Sequence, residues 1–390
     1  MELCLYHPEF GYYARHAGQF GKAGDFYTSS DVHAVFGRLL ARQFDEMWRV
    51  LGAPATIVLR ELGPGRGLFA QDVLDWSEKK FPEFFRALRY ELVEQSSALR
   101  QRIEQTLARH FQSGKAKFAN IDRMNTDSAS TTGASTRGVG TTGVSTIGKG
   151  TTLVVPNLGH SEPALAAEGP VLLFGNEFFD AIPVEVVTTK GSLRIDTRNG
   201  QFVETWFPCL PDELEFLDRY SIHPEEGERV EVPLQAQKII SAAAQFGRGF
   251  VMIVDYGYTR DEQLAGRHRG TLKAIRQHSV STNPYEAPGE QDITADANFT
   301  ALAAAAESQG MHAQKLVTQS QFLMGIGEAN QFADAFEECR LPQERAKIAL
   351  QLKHLVTPAG MGETFHVLVA SKDAQVETVS RLSGLSFGRR

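Results

Sequence analysis

Three glycines at alternate positions, Gly63, Gly65 and Gly67, close the run TIVLRELGPGRG (residues 56–67) and follow a carboxylate at Glu61. Glycine turns of this kind aim backbone N–H groups at a ligand and let it approach without interference from Cβ atoms. A second carboxylate, Glu94, ends the run LRYELV (residues 88–93). At the carboxyl end of a neighbouring strand it would stand beside the glycine loop, where it can accept both hydroxyls of a ribose. The spacing separates two nucleoside classes. A dinucleotide fingerprint wants Gly or Ala at position 68, where this chain has Leu68. That favours S-adenosylmethionine over NAD, and Glu61 suits the cationic methionine end of that cofactor, whereas it would repel a pyrophosphate.

The elements that must position these groups are legible around them. Ile57-Val58-Leu59 reads as a buried strand, and Phe69, Val73 and Trp76, with Ala70 and Leu74, recur at helical spacing. A helix follows Glu94 from Ser97 through His110, and Lys115–Asn120 reads as a third strand. GPVLLFG (169–175) and FVMIV (250–254) read as the fourth and fifth. Between those two, period-2 stretches around Glu185–Thr189, Leu193–Thr197 and Phe202–Phe207, with Asn199-Gly200 as a hairpin signal, predict antiparallel strands. A helix through Leu234–Ala244 then leads back. His312–Thr318 and Phe365–Ala370 predict a final antiparallel pair. Upstream, Ser30 or Asp31 reads as the cap of a helix carrying Val35, Phe36, Leu39, Leu40, Met47 and Trp48.

Composition narrows the class. A chain of 390 residues with 42% hydrophobic and 22% charged residues has ample material for a core, and its net charge of −7 provides no global basic field for nucleic acid. Cys4, Cys209 and Cys339 are isolated, with no CxxC pair, which argues against a disulfide framework or a metal site. No apolar stretch approaches a membrane span, so the cytoplasm is the expected location. From Ser128 to Thr152, 18 of 25 residues are Ser, Thr or Gly, and TTGAST at Thr131 is echoed by TTGVST at Thr141. Such a stretch cannot bury enough apolar surface to order itself, so a disordered insert is expected over 125–165.

ELGPGRG, ELVEQS, NEFFDAIPVE, VDYGY, GTLKAIRQH and DITADANF occur in that order. Together they resemble the MidA-type family of S-adenosylmethionine-dependent methyltransferases, which groups bacterial proteins with mitochondrial complex I assembly factors regarded as protein arginine methyltransferases. The resemblance runs from Leu5 to Val369, interrupted by the insert. It implies S-adenosylmethionine as cofactor and an arginine of a protein, such as a respiratory complex I subunit, as methyl acceptor. Relatives usually carry a little more helix before LYHPEFGYY, so the native start is expected upstream. The aromatic N-terminal segment is either a packing cap or, by resemblance, a lid over the cofactor, built from Tyr12, Tyr13 and the GDFYTSS run, with Asp25, Thr28 and Ser29 facing the crevice.

Methyl transfer from a sulfonium needs alignment and a dry pocket more than proton chemistry, and alignment is worth up to ~7–11 kcal/mol in favourable cases. An arginine acceptor is cationic, and carboxylates gripping its other nitrogens bias electron density toward the one aimed at the methyl group. NEFFDA supplies such groups: Asn176 and Glu177 end the fourth strand, and Asp180 lies a helical turn beyond. The position is similar to the N/D-P-P-Y motif of amine and amide methyltransferases, with Glu-Phe-Phe in place of Pro-Pro-Tyr. Asp180 is also a plausible helix cap. Asp255 is either a further carboxylate or a loop anchor, Tyr256 and Tyr258 either stack on a ligand or pack, and His278 either acts as a base or is structural. Asp292 and Thr294 look like N-cap positions first.

The reading is an α/β, doubly wound, Rossmann-like methyltransferase sheet with an N-terminal lid (1–55), a cofactor-binding core (56–183), an antiparallel substrate subdomain (184–232) and the remainder of the core with substrate-side loops (233–390). Partners would be a protein presenting an arginine, without nucleic acid, in an open oligomeric state that includes a homodimer. A small-molecule N- or O-methyltransferase and a cofactor-binding assembly chaperone without catalysis are the competing readings.

Overall fold

Most of the short apolar runs form one sheet in the computed structural model, which describes residues 1–15, 34–119, 169–276, 279–328 and 330–388. The strands are β1 (Ile57–Leu62), β2 (Leu88–Val93), β3 (Ala116–Phe118), β4 (Val171–Asn176), β5 (Glu185–Thr188), β6 (Gly191–Arg198), β7 (Gln201–Phe207), β8 (Val230–Val232) and β9 (Gly249–Tyr258). After them come β10 (Lys273–Arg276), β11 (Ser279–Ser281), β12 (Asp292–Thr294), β13 (Ala297–Asn298), β14 (His312–Ala313), β15 (Val317–Thr318) and β16 (Phe365–Lys372). The main sheet runs β14-β16-β9-β4-β1-β2-β3. β3, β2, β1, β4 and β9 are mutually parallel, and β16 returns antiparallel to β9.

All six residues of β1 are buried, because helices cover both faces of the sheet. On one face the helices Ala34–Val50 and Leu68–Lys80 pack through Phe36, Phe44, Phe69 and Trp76. On the other, Leu234–Ala243 and Phe299–Ser308 bring Ile239, Ile240, Phe299 and Leu302. This is the doubly wound α/β arrangement that the alternation of apolar runs predicts. The chain leaves β1 in one direction to β2 and β3 and in the other to β4 and β9, so the carboxyl ends of β1 and β4 diverge and open a crevice.

The decoration between β4 and β9 is a separate antiparallel sheet of order β7-β6-β5-β8. Its hairpin turns at Asn199-Gly200, with φ of +54° and +76°, the left-handed pair that a two-residue type I′ turn requires.

Three expectations need correction. Asp255 to Tyr258 belong to β9 rather than to a loop after it. The substrate-side loops expected after that strand are not all loop: β10 to β12 form a three-stranded antiparallel sheet against which Leu5 and Tyr12 of the N-terminal segment pack. Asp292 and Thr294 lie in β12; the following helix is capped by Asn298, whose Oδ1 accepts the Ala301 N–H at 3.0 Å. The insert at 125–165, the expected cap at Ser30 or Asp31, and the site candidates Asp25, Thr28, Ser29 and His278 lie outside the described residues. Among the described residues no helix is long and apolar enough to cross a membrane.

Candidate active site

A cleft of about 1860 Å³ opens at the carboxyl ends of β1, β2, β4 and β9, and Glu61, Gly63, Gly65, Glu94, Asn176, Glu177 and Asp180 all line it. Gly63, Gly65 and Gly67 have φ of +62°, +54° and +76°, which any residue with a Cβ adopts only at a cost. Their roles differ. A Cβ on Gly65 would meet no atom within 4 Å, so this glycine faces the open space of the cleft. A Cβ on Gly63 would come within 2.7 Å of Phe178 Cδ2, so this glycine lets the loop after β4 pack on the glycine loop. Gly67 precedes the helix Leu68–Lys80, faces Ile103 and Leu107, and does not line the cleft.

Glu61 is buried at the floor, and its Oε2 accepts a hydrogen bond from the Tyr90 hydroxyl at 2.8 Å. Burial pushes its pKa up to about 8, with Tyr90 pulling the other way. Glu94 Oε1 accepts the N–H groups of Gln95 and Ser96, both at 2.8 Å. Burial raises this carboxyl to about 7 against those two amides. In both, burial disfavours the charged form, which a ligand's cation or donors would favour again.

The loop after β4 is held from beneath. Asp255 is fully buried, and its Oδ2 accepts the N–H groups of Phe178, Phe179 and Asp180 at 3.2, 2.9 and 3.4 Å, while Oδ1 accepts that of Tyr256. It is therefore the loop anchor. Burial, with Asp180 and Glu177 nearby, pushes its pKa well up against those amides. Glu177 has φ of +49°, a left-handed conformation that a residue with a long side chain holds only when its surroundings impose it. Asn176 Nδ2 donates to Glu177 Oε1 at 3.2 Å. Asp180 does not cap a helix, because the chain there is a turn. Its Oδ2 accepts from the hydroxyls of Tyr256 and Thr294, whereas Oδ1 is buried without a hydrogen-bond partner. Burial raises its pKa. An orphaned carboxylate oxygen in a cleft is an acceptor site for a donor brought by a ligand.

The opposite wall comes from the N-terminal segment and from the stretch after β9, where the sequence leads to substrate-side loops without assigning a site role to Lys273, His268 or Asp296. The Lys273 ammonium lies 4.6 Å from the centre of the Tyr256 ring and 3.3 Å from Asp296 Oδ1, and His268 Nδ1 lies 3.0 Å from Asp296 Oδ2. Tyr13 donates to Asp292 Oδ1 at 3.1 Å, and Tyr6 to the Ala181 carbonyl at 2.9 Å, which ties the N-terminal segment to the acidic loop. Tyr13 lines the cleft; Tyr12 packs behind it. Tyr256 lines the cleft, and Tyr258 is buried against His268. The quoted DITADANF run contained Asp296, but nothing in its spacing pointed to the cleft. His354, Glu363 and His366 at the far rim carried no motif at all. Among the described residues, eight carboxylates line the cleft against four lysine and arginine side chains, an environment that favours cationic ligands.

Comparison with known proteins gives the arrangement a family. The family model described as "Putative S-adenosyl-L-methionine-dependent methyltransferase" matches residues 39–317. The chain is 29% identical, over 98% of its length and 85% of the relative's, to a Danio rerio protein named protein arginine methyltransferase NDUFAF7, mitochondrial. It is 27% identical to the Drosophila melanogaster homologue of that protein, over 94% of this chain and 79% of the relative. A Burkholderia thailandensis crystal structure bound to S-adenosyl-homocysteine shares the fold with a TM-score of 0.72 at 24% identity, covering 98% of this chain and 89% of that one. With well over half its length matched, the chain belongs to this family of S-adenosyl-L-methionine-dependent methyltransferases.

Proposed function

We propose that the chain methylates an arginine side chain of a protein, and that the loop Asn176–Asp180 receives the guanidinium. The observation that carries this reading is the acidic loop pinned by Asp255 directly against the glycine loop. S-adenosylmethionine, when bound, supplies an electrophilic methyl group on a sulfonium and leaves as S-adenosyl-homocysteine. Glu61 would face its cationic methionine end and Glu94 its ribose, with the backbone of Gly63 and Gly65 between them.

Glu177 and the free oxygen of Asp180 would hold two guanidinium nitrogens, leaving the third to attack. One N–C bond forms as the S–C bond breaks, the electron pair stays on sulfur, and the methylated nitrogen releases a proton to solvent. A cleft of about 1860 Å³ exceeds the ~300–1,000 Å³ of a single small-ligand site, which leaves room for a cofactor and a polypeptide side chain. Relatives named protein arginine methyltransferases support the same acceptor class, and the sequence resemblance points to a respiratory complex I subunit.

The test is methylation of an extract from cells lacking the gene, using the purified protein and isotope-labelled cofactor, read by mass spectrometry. The reading expects labelled methylarginine, with Glu177→Gln binding cofactor normally but reducing labelling about 100-fold. Absence of methylarginine with the unaltered protein, or full labelling by the variant, would contradict it.

A further inference from the structure

The wall of the cleft opposite the acidic loop carries a histidine placed as a proton acceptor. His268 follows the helix Arg260–Leu264 with φ of +53°, and its ring stacks on that of the fully buried Tyr258, 5.4 Å away and tilted by 22°. The imidazole lines the cleft and is 31% exposed. Its Nδ1 lies 3.0 Å from Asp296 Oδ2, and Asp296 accepts from the Lys273 ammonium through its other oxygen at 3.3 Å. An ionised carboxylate can only accept, so the neutral ring carries its proton on Nδ1 and its lone pair on Nε2. Among the described residues no hydrogen bond uses Nε2.

The pair is held from behind. The Asp296 N–H donates to Thr271 Oγ1 at 3.1 Å, and the Thr271 hydroxyl donates to the buried Glu231 at 3.3 Å. In front it shares one space with the acidic loop: His268, Lys273, Tyr256 and Asp180 all line the cleft, and Lys273 rests on the Tyr256 ring, whose hydroxyl bonds Asp180. The other charged groups around the imidazole are Arg267 beside it in the chain, Glu262, 3.6 Å from Arg267, and His366 of β16. Burial lowers the pKa of His366, Glu262 raises it and the nearby His268 lowers it.

The acceptor chemistry leaves a proton to be placed. Once the N–C bond has formed, the methylated nitrogen must lose a proton, and on the reading above Glu177 and Asp180 are engaged in holding the other two nitrogens. A cleft that excludes water during transfer needs a base of its own. We propose that His268 Nε2 takes that proton: the N–H bond breaks, its electron pair stays on nitrogen, an Nε2–H bond forms, and the imidazolium beside Asp296 passes the proton on to solvent. Asp296 is the positioning residue, since it fixes the tautomer and the ring. The step rests on the protein-arginine reading, whereas the tautomer does not.

Nitrogen NMR of the full chain with isotope-labelled histidine reads the tautomer directly, the His268 signals being identified by their loss in His268→Gln. The neutral ring should be protonated on Nδ1, and Asp296→Asn should shift it toward the Nε2–H form; a ring protonated on Nε2 in the unaltered protein would overturn the proposal. With the extract and labelled cofactor described above, His268→Gln should bind S-adenosylmethionine normally and label about 100-fold more slowly on the high-pH plateau. That deficit should shrink as pH falls, because the unaltered protein loses its base as the imidazole charges. Glu61, Glu94 and His366 titrate in both proteins, so the difference between the two profiles belongs to His268. Methylarginine formed at the full rate by the variant, or an equal loss at every pH, would overturn this step alone. Absence of methylarginine with the unaltered protein would overturn the arginine reading and the step with it.

Discussion

Glu61 and Glu94 hold their protons more tightly than ordinary glutamates, at about 8 and about 7, and in both cases burial is the leading cause. The folded chain thus retains protons that the unfolded chain releases near 4.5. The contribution of these groups to stability is complete below that value and is lost as pH rises through about 7 and 8. A cationic ligand on Glu61 reverses the balance, because it pairs with the ionised form. The stabilisation that S-adenosylmethionine confers should therefore grow from pH about 6 to about 9 in a thermal melt, and Glu61→Gln should flatten that growth. A cofactor shift that shrinks with rising pH would show that Glu61 does not meet the cation. These carboxylates were legible because each ends an apolar run, where strand geometry delivers a side chain to the sheet's edge. Asp255 was not: its residue type fits a catalytic acid or an anchor equally, and only its three accepted amides decide.

Among elements, the glycine loop and the acidic loop act as a pair, meeting where Phe178 packs on Gly63. This separates two substitutions that look alike in sequence. Gly63→Ala forces Phe178 off the loop and adds left-handed strain of about 1–2 kcal/mol, so it should lower the melting temperature and disturb both ligands. Gly65→Ala carries a similar strain but points into open space, so its main effect should be at least tenfold weaker cofactor binding with a smaller loss of stability. Melting curves and titrations on the two variants would distinguish them, and equal losses of stability would refute the division of labour. The strands of the main sheet announced themselves as apolar runs, and β6–β7 by the Asn199-Gly200 turn. By contrast β10 to β12 have three or four residues each, in a polar stretch, too short for any period to show.

For the molecule as a whole, the reversal of strand order between β1 and β4 brings together groups from stretches far apart in the chain. On the proposed function the cofactor would lie at the end built from β1, β2 and their loops, and the acceptor at the end built from the loop after β4, β9 and the three-stranded sheet. Contacts between sequence-distant segments, such as Tyr13 with Asp292 and Asp180 with Thr294, left no trace in local spacing, which is why the far wall could not be read in advance.

The central claim, that the crevice beside the glycine loop binds S-adenosylmethionine through Glu94, is tested most directly by calorimetric titration of the full chain. It predicts saturable binding of S-adenosylmethionine, none of NAD, and affinity reduced about tenfold or more in Glu94→Ala. Undiminished binding by the variant, or binding of NAD in place of S-adenosylmethionine, would contradict it.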